Sequence, residues 1–156
     1  MIFDRTQEDV NAAIYLRDSK VKNFVELTDE DINALERGTI TVNTLNRIEN
    51  KQKEIKELFF RLGISVNIEN KVWNNTEIFD EANFKRILSN LKNLVNAFCV
   101  YKNTPAVPSA SYRYKNINSI EKILVDLEEL YNKILKSFKY CGIVYCGKGL
   151  NYDIQG

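Results

Sequence analysis

Asn103–Lys139 reads NTPAVPSASYRYKNINSIEKILVDLEELYNKILKSFK, and its second half decides the fold. Ile117, Ile120, Leu124, Leu127, Tyr131, Ile134 and Phe138 recur at 3-4-3-4-3-4 spacing, which places all seven on one stripe of a helix. Asn118 is suited to cap its start, with Glu121 three residues on to complete a capping box. Lys122–Asp126 and Glu129–Lys133 form i,i+4 pairs on the other faces. A stripe this regular needs burial, against another helix of the chain or a second copy of it.

Working outward, both prolines of the chain, Pro105 and Pro108, lie just upstream and stop any helix from running through. Tyr112, Arg113, Tyr114 and Lys115 interleave aromatic and basic side chains, the residue types of a nucleic-acid stacking platform. In a chain of balanced charge, a packed loop ahead of the helix is the expectation. A further helix is predicted over Glu81–Tyr101, capped by Asp80, with Phe84, Ile87, Leu88, Leu91, Leu94, Val95 and Phe98 on one face and Cys99 beside it as a small buried hydrophobe. Ile64, Val66 and Ile68 alternate with polar residues, which predicts a short β segment near 64–73. Trp73 is expected to plug the core beneath a turn at Asn74-Asn75.

Three more helices are predicted nearer the N-terminus. Thr41 caps one that carries Leu45, Ile48, Ile55, Phe59 and Leu62 and ends at Gly63. Gln52 occupies a stripe position there, and it either sets register against a partner or closes a short bundle contact. Thr28 caps a helix over Asp29–Arg37 that stops at Gly38. Thr6 caps one over Gln7–Val25, whose stripe of Val10, Ala13, Ile14, Val21 and Phe24 is imperfect.

After the last helix comes a tandem repeat, Tyr140-Cys141-Gly142 and Tyr145-Cys146-Gly147. Aromatic and β-branched residues between glycines favour strands, so residues 139–156 are expected to form a strand or hairpin appendage to a helical domain spanning 1–138. An isolated hairpin is marginal in water. This one either pairs with another subunit or folds back on the segment at Ile64–Ile68. The fold class is therefore mainly α: a bundle of three to four amphipathic helices with a short β segment and a C-terminal β-hairpin appendage.

The composition excludes several functions. The 156 residues are 44% hydrophobic and 28% charged, which fits one folded domain, and the formal charge of +1 offers no general field for nucleic acid or an anionic membrane. Histidine is absent, which removes Ser-His-Asp and Cys-His catalysis and the commonest zinc ligand. Three cysteines, an odd number, do not suit a secreted disulfide framework. Cys141 and Cys146 supply half a tetrahedral metal site at best, so no cofactor or metal is expected. Glu121, Asp126, Glu128 and Glu129 could furnish a carboxylate pair, but their place beside lysines reads as a solvated helix face. The opening MIFDRTQED lacks the basic and apolar regions of a secretory signal, so synthesis in a cytoplasm is the expectation.

An ordered set of motifs adds to this reading. FDRTQEDV at the start, TLNRIEN at 44–50, LGISVNI leading to Trp73, FKRILSNLKNL at 84–94, NTPAVP at 103–108, INSIEKILVDLEEL at 117–130 and the doubled Tyr-Cys-Gly run nearly the length of the chain. In this order they resemble a segment of tail, baseplate and tail-fibre-associated structural proteins of phages and prophages of Firmicutes. Where those relatives carry Ser-Gly-Glu, this chain has Cys-Gly at 141–142 and 146–147. The resemblance implies a non-catalytic particle component that associates with other tail or baseplate proteins and with copies of itself, in a virion tail assembled in the bacterial cytoplasm. Tyr140, Cys141, Gly142, Tyr145, Cys146 and Gly147 are the candidate interaction residues. The alternative is a receptor- or carbohydrate-binding module at the tail tip, with Tyr140, Tyr145 and Tyr152 facing a host-surface glycan.

Overall fold

Thr6, Thr28, Thr41 and Asp80 each present a side-chain oxygen to the backbone N–H three residues on, and four helices begin where the sequence places them. The computed structural model describes residues 1–140, with side chains as far as Ser137. Its helices are α1 (Gln7–Leu16), continued by a π turn (Arg17–Val21), α2 (Asp29–Gly38), α3 (Val42–Arg61), α4 (Glu81–Ala97) and α5 (Tyr114–Tyr140). The protein is mainly helical, and none of the described helices is long and apolar enough to cross a membrane.

α3, α4 and α5 pack on one another around Ile48, Ile55, Phe59, Phe84, Leu91, Leu94, Ile120, Leu124 and Leu127. The stripe of α5 is buried from Ile117 to Tyr131, and Ile123 widens it. Gln52 is fully buried, donating to the Ile87 carbonyl at 2.9 Å and accepting from Asn90 at 3.2 Å. It therefore cross-links α3 to α4 in a fixed register rather than closing the contact.

Several boundaries differ from expectation. α5 begins at Tyr114, so Asn118 lies inside the helix and serves Arg5 instead of capping. α4 ends at Ala97. Phe98 leaves it in an extended conformation and turns its ring onto Phe59, 4.6 Å between centroids, which leaves Cys99 exposed rather than buried. The first helix ends at Val21, and Ile14, Val21 and Phe24 face solvent instead of forming a core stripe.

No strand forms among the described residues, though Val66 and Ile68 are buried and Ser65 and Asn67 exposed, as alternation requires. The backbone there bonds to helix side chains instead of to a partner strand. Asn90 bridges both backbone groups of Glu69, Asn93 donates to the Asn67 carbonyl, and Asn46 takes both backbone groups of Trp73. Backbone groups need partners, and Asn90 and Asn93, three apart on α4, and Asn46 on α3 supply them. Trp73 is buried as expected.

α1 and α2 form an antiparallel hairpin beside the bundle. Gly38 is its last helical residue, and its lack of a side chain matters for packing more than for stopping the helix. A Cβ at Gly38 would lie 2.2 Å from the Asp9 carbonyl oxygen and 2.4 Å from Ala13 Cβ. Gly38→Ala should therefore destabilise the protein by about 1–3 kcal/mol through overpacking, against a gain of up to about 1 kcal/mol in helix propensity. Thermal melting tests this, and a raised midpoint would mean that the helices do not approach so closely.

Candidate interaction site

Three acidic side chains are buried among the described residues, and each is committed inside the fold. Glu121 is 0% exposed, where the helix pattern put it on a solvated face. It pairs with the buried Arg5 and, through Oε1, with Arg47 Nε at 3.0 Å, and Arg47 reaches on to Glu36 at 3.0 Å. Glu49 pairs with Arg86 and accepts from Trp73 Nε1 at 3.2 Å. Asp126, also expected on the solvated face, accepts from Thr104 at 2.7 Å and Lys122 at 2.6 Å. Glu128 pairs with Lys51 at 2.7 Å, and Glu129 alone of the four is fully on the outside. Asp126 and Glu129 line one small pocket of about 220 Å³ with Tyr101, Lys122 and Lys133, and Glu121 and Glu128 are not part of it.

A groove of about 640 Å³ lies where the start of α1, the end of α2 and the start of α5 meet. Val10, Ile40, Tyr114 and Ile117 give it apolar walls. Arg37, also at its edge, is held by Asp9 at 3.0 Å and by Asp4 at 3.4 Å. Arg113 and Lys115 are exposed at the rim. Arg5 contributes to the lining, and its buried Nε and Nη2 have no hydrogen-bond acceptor. The aromatic-basic run is thus divided: Tyr112 packs tilted against Phe84 and edge-on against Phe79, at 5.1 and 5.5 Å, while Arg113 and Lys115 are exposed and form no ion pair among the described residues.

The far end of the α1–α2 hairpin carries the second feature. After the π turn the chain closes in a Schellman arrangement: Val25 N–H donates to the Lys20 carbonyl at 3.0 Å and Phe24 N–H to that of Val21 at 3.2 Å. The residue at its left-handed position is normally glycine. Here it is Phe24, with φ 55° and 97% of its surface exposed. Val25, Ile14, Tyr15 and Ile32 are also exposed on this hairpin. The signal for this site in the sequence was the missing glycine after the first helix, which the period-based reading passed over.

The hairpin is expected to respond to acid. Arg37 beside Asp9, with the Thr6 N–H, lowers the Asp9 carboxyl from 3.8 to about 2. Lys20 does the same for Asp31, helped by Thr28, and Arg17 and Lys22 for Asp18, each also to about 2. Carboxylates with lowered folded values stabilise above their ordinary range and lose that contribution as pH falls through the folded value. Because Asp9 and Asp31 complete both capping boxes, helical circular dichroism should fall between about pH 4 and about pH 2. In Asp9→Asn/Asp31→Asn that step should shrink, and an unchanged step would assign the loss to the bundle.

Of the residues singled out from the sequence, Tyr140 is the last residue of α5, so the helix reaches into the stretch assigned to the appendage. Cys141, Gly142, Tyr145, Cys146 and Gly147, and with them the hairpin appendage, lie outside the described residues. No cluster of three or more metal-ligating side chains occurs among the described residues. No protein-family model, curated protein or solved structure matches the chain.

Proposed function

We propose that this chain is a non-catalytic structural subunit of a phage or phage-like tail, at the baseplate or tail-fibre attachment, acting through helix packing and subunit association. The observation that carries the association is Phe24. A bulky aromatic in a left-handed position costs conformational energy and returns no packing to its own chain, and such outliers concentrate where function requires them. The ordered motifs from FDRTQEDV to INSIEKILVDLEEL support the particle assignment. The ion-paired state of Glu49, Glu121 and Asp126 supports a role without catalysis. Residues 141–156, with the Cys-Gly pairs, are assigned to attachment by strand addition to a neighbouring subunit.

Mass spectrometry of purified tail particles from cells carrying this gene tests the assignment. The chain should be present, and deletion of the gene should give tails lacking the baseplate or fibre. Truncation after Tyr140 should leave a folded protein that no longer enters particles. Complete particles without the chain would overturn the assignment.

A further inference from the structure

We infer that the Phe24 tip of one chain docks in the groove at the start of α5 of a second copy, giving a head-to-tail assembly. The two surfaces match in shape and charge. The tip offers an exposed aromatic ring and Val25, and the groove has apolar walls at Val10, Ile40 and Tyr114. Glu26, Asp29 and Glu30 are exposed around the tip, while the nearby Lys20 and Lys22 are already taken by Asp31 and Asp18. The groove rim presents Arg113 and Lys115, and Arg5 contributes to its lining. An acidic apolar knob thus faces a basic apolar groove.

One chain cannot make this contact with itself. Tip and groove sit at opposite ends of the α1–α2 hairpin, separated by the length of Gln7–Val21, about 20 Å at helical rise. Because the two surfaces are different, the contact is heterologous. Repetition closes a ring or extends a filament. The inference deepens the reading of the chain as an associating subunit. The two fail separately, since absence from tail particles would leave self-association intact.

Sedimentation velocity of the full chain across about 1–100 μM, the range of weak subunit contacts, is the test. The wild type should form species larger than a dimer or a closed ring, weakened by raised salt. Phe24→Asp should lose association by at least about tenfold, and Arg113→Glu/Lys115→Glu likewise, with unchanged helical circular dichroism. Mixing the two variants is decisive. One retains a groove and the other a tip, so they should form a 1:1 complex and nothing larger. Phe24→Gly guards against misfolding as an explanation: glycine suits the backbone, so its melting point should rise while association is lost. A wild-type chain monomeric throughout, association that survives Phe24→Asp, or variants that fail to pair would overturn the proposal, the first pointing to a different protein as occupant of the tip.

Discussion

Glu121→Ala is expected to be among the most damaging single substitutions in this protein, costing about 3–5 kcal/mol in urea unfolding. The side chain looks like part of a polar helix face, and a solvated glutamate there would cost less than about 0.5 kcal/mol to truncate. Its surroundings reverse that. Arg5 and Glu121 side chains are 2% and 0% exposed, and Arg47 joins the same carboxylate. Removing the acid leaves the buried Arg5 without its counter-charge and Arg47 with Glu36 alone, and buried charge is held in place only by its partner. The loss also spreads, because Arg5 ties the N-terminal strap to α5 through Asn118 and supports the groove wall. For a domain stable by about 5–15 kcal/mol, this is at least about a fifth of the total. The origin of the cost can be isolated. Arg5→Met/Glu121→Met removes both charges and should recover most of the stability, because apolar replacement of a whole buried pair is often neutral. A Glu121→Ala cost below about 1 kcal/mol would restore the solvated-face reading.

What the sequence disclosed and what it concealed divide along a physical line. Apolar periodicity and capping chemistry are local, so the stripes of α3, α4 and α5 and the caps at Thr6, Thr28, Thr41 and Asp80 were legible. Burial of charge depends on what arrives from elsewhere in the chain. Glu121 and Glu128 each follow a stripe residue, Ile120 and Leu127, yet Arg5 covers the first and leaves the second partly exposed. The segment near Val66 read as a strand because alternation reports a half-buried extended chain and says nothing of its hydrogen-bond partners. Here those partners are asparagine side chains on two helices. Phe24 was misread for a related reason. Its position fits a helical stripe, but Asn23 bonds back to the Ser19 and Asp18 carbonyls and the helix has already ended. The groove required three elements far apart in sequence, so the aromatic-basic run at 112–115 could be noticed but not given a face.

Glu49→Ala should cost a comparable about 3–5 kcal/mol, with a different signature. Glu49 lies in α3 and is 1% exposed. Its carboxylate accepts from Trp73 Nε1 and pairs with Arg86, and Oε2 also takes Asn70 Nδ2 and the Lys71 N–H, each at 3.3 Å. One acid thus anchors both the tryptophan plug and the connecting backbone that covers α3 and α4. Truncation to alanine leaves the buried indole N–H without its acceptor and Arg86 with only the Glu69 carbonyl, and the desolvation cost of the indole N–H appears in full. The helices keep their own apolar contacts, so the damage should begin in the connection between Ile64 and Phe79. Tryptophan fluorescence, from the single Trp73, should shift to the red and become accessible to quencher at denaturant concentrations where helical circular dichroism is still intact. Amide exchange should accelerate first at Lys71 and Trp73, whose N–H groups bond to the side chains of Glu49 and Asn46. Glu49→Gln keeps the acceptor oxygen for the indole but not the charge for Arg86, so it should fall between the two. Coincident loss of fluorescence and helix in Glu49→Ala would show instead that the connection and the bundle unfold as one unit.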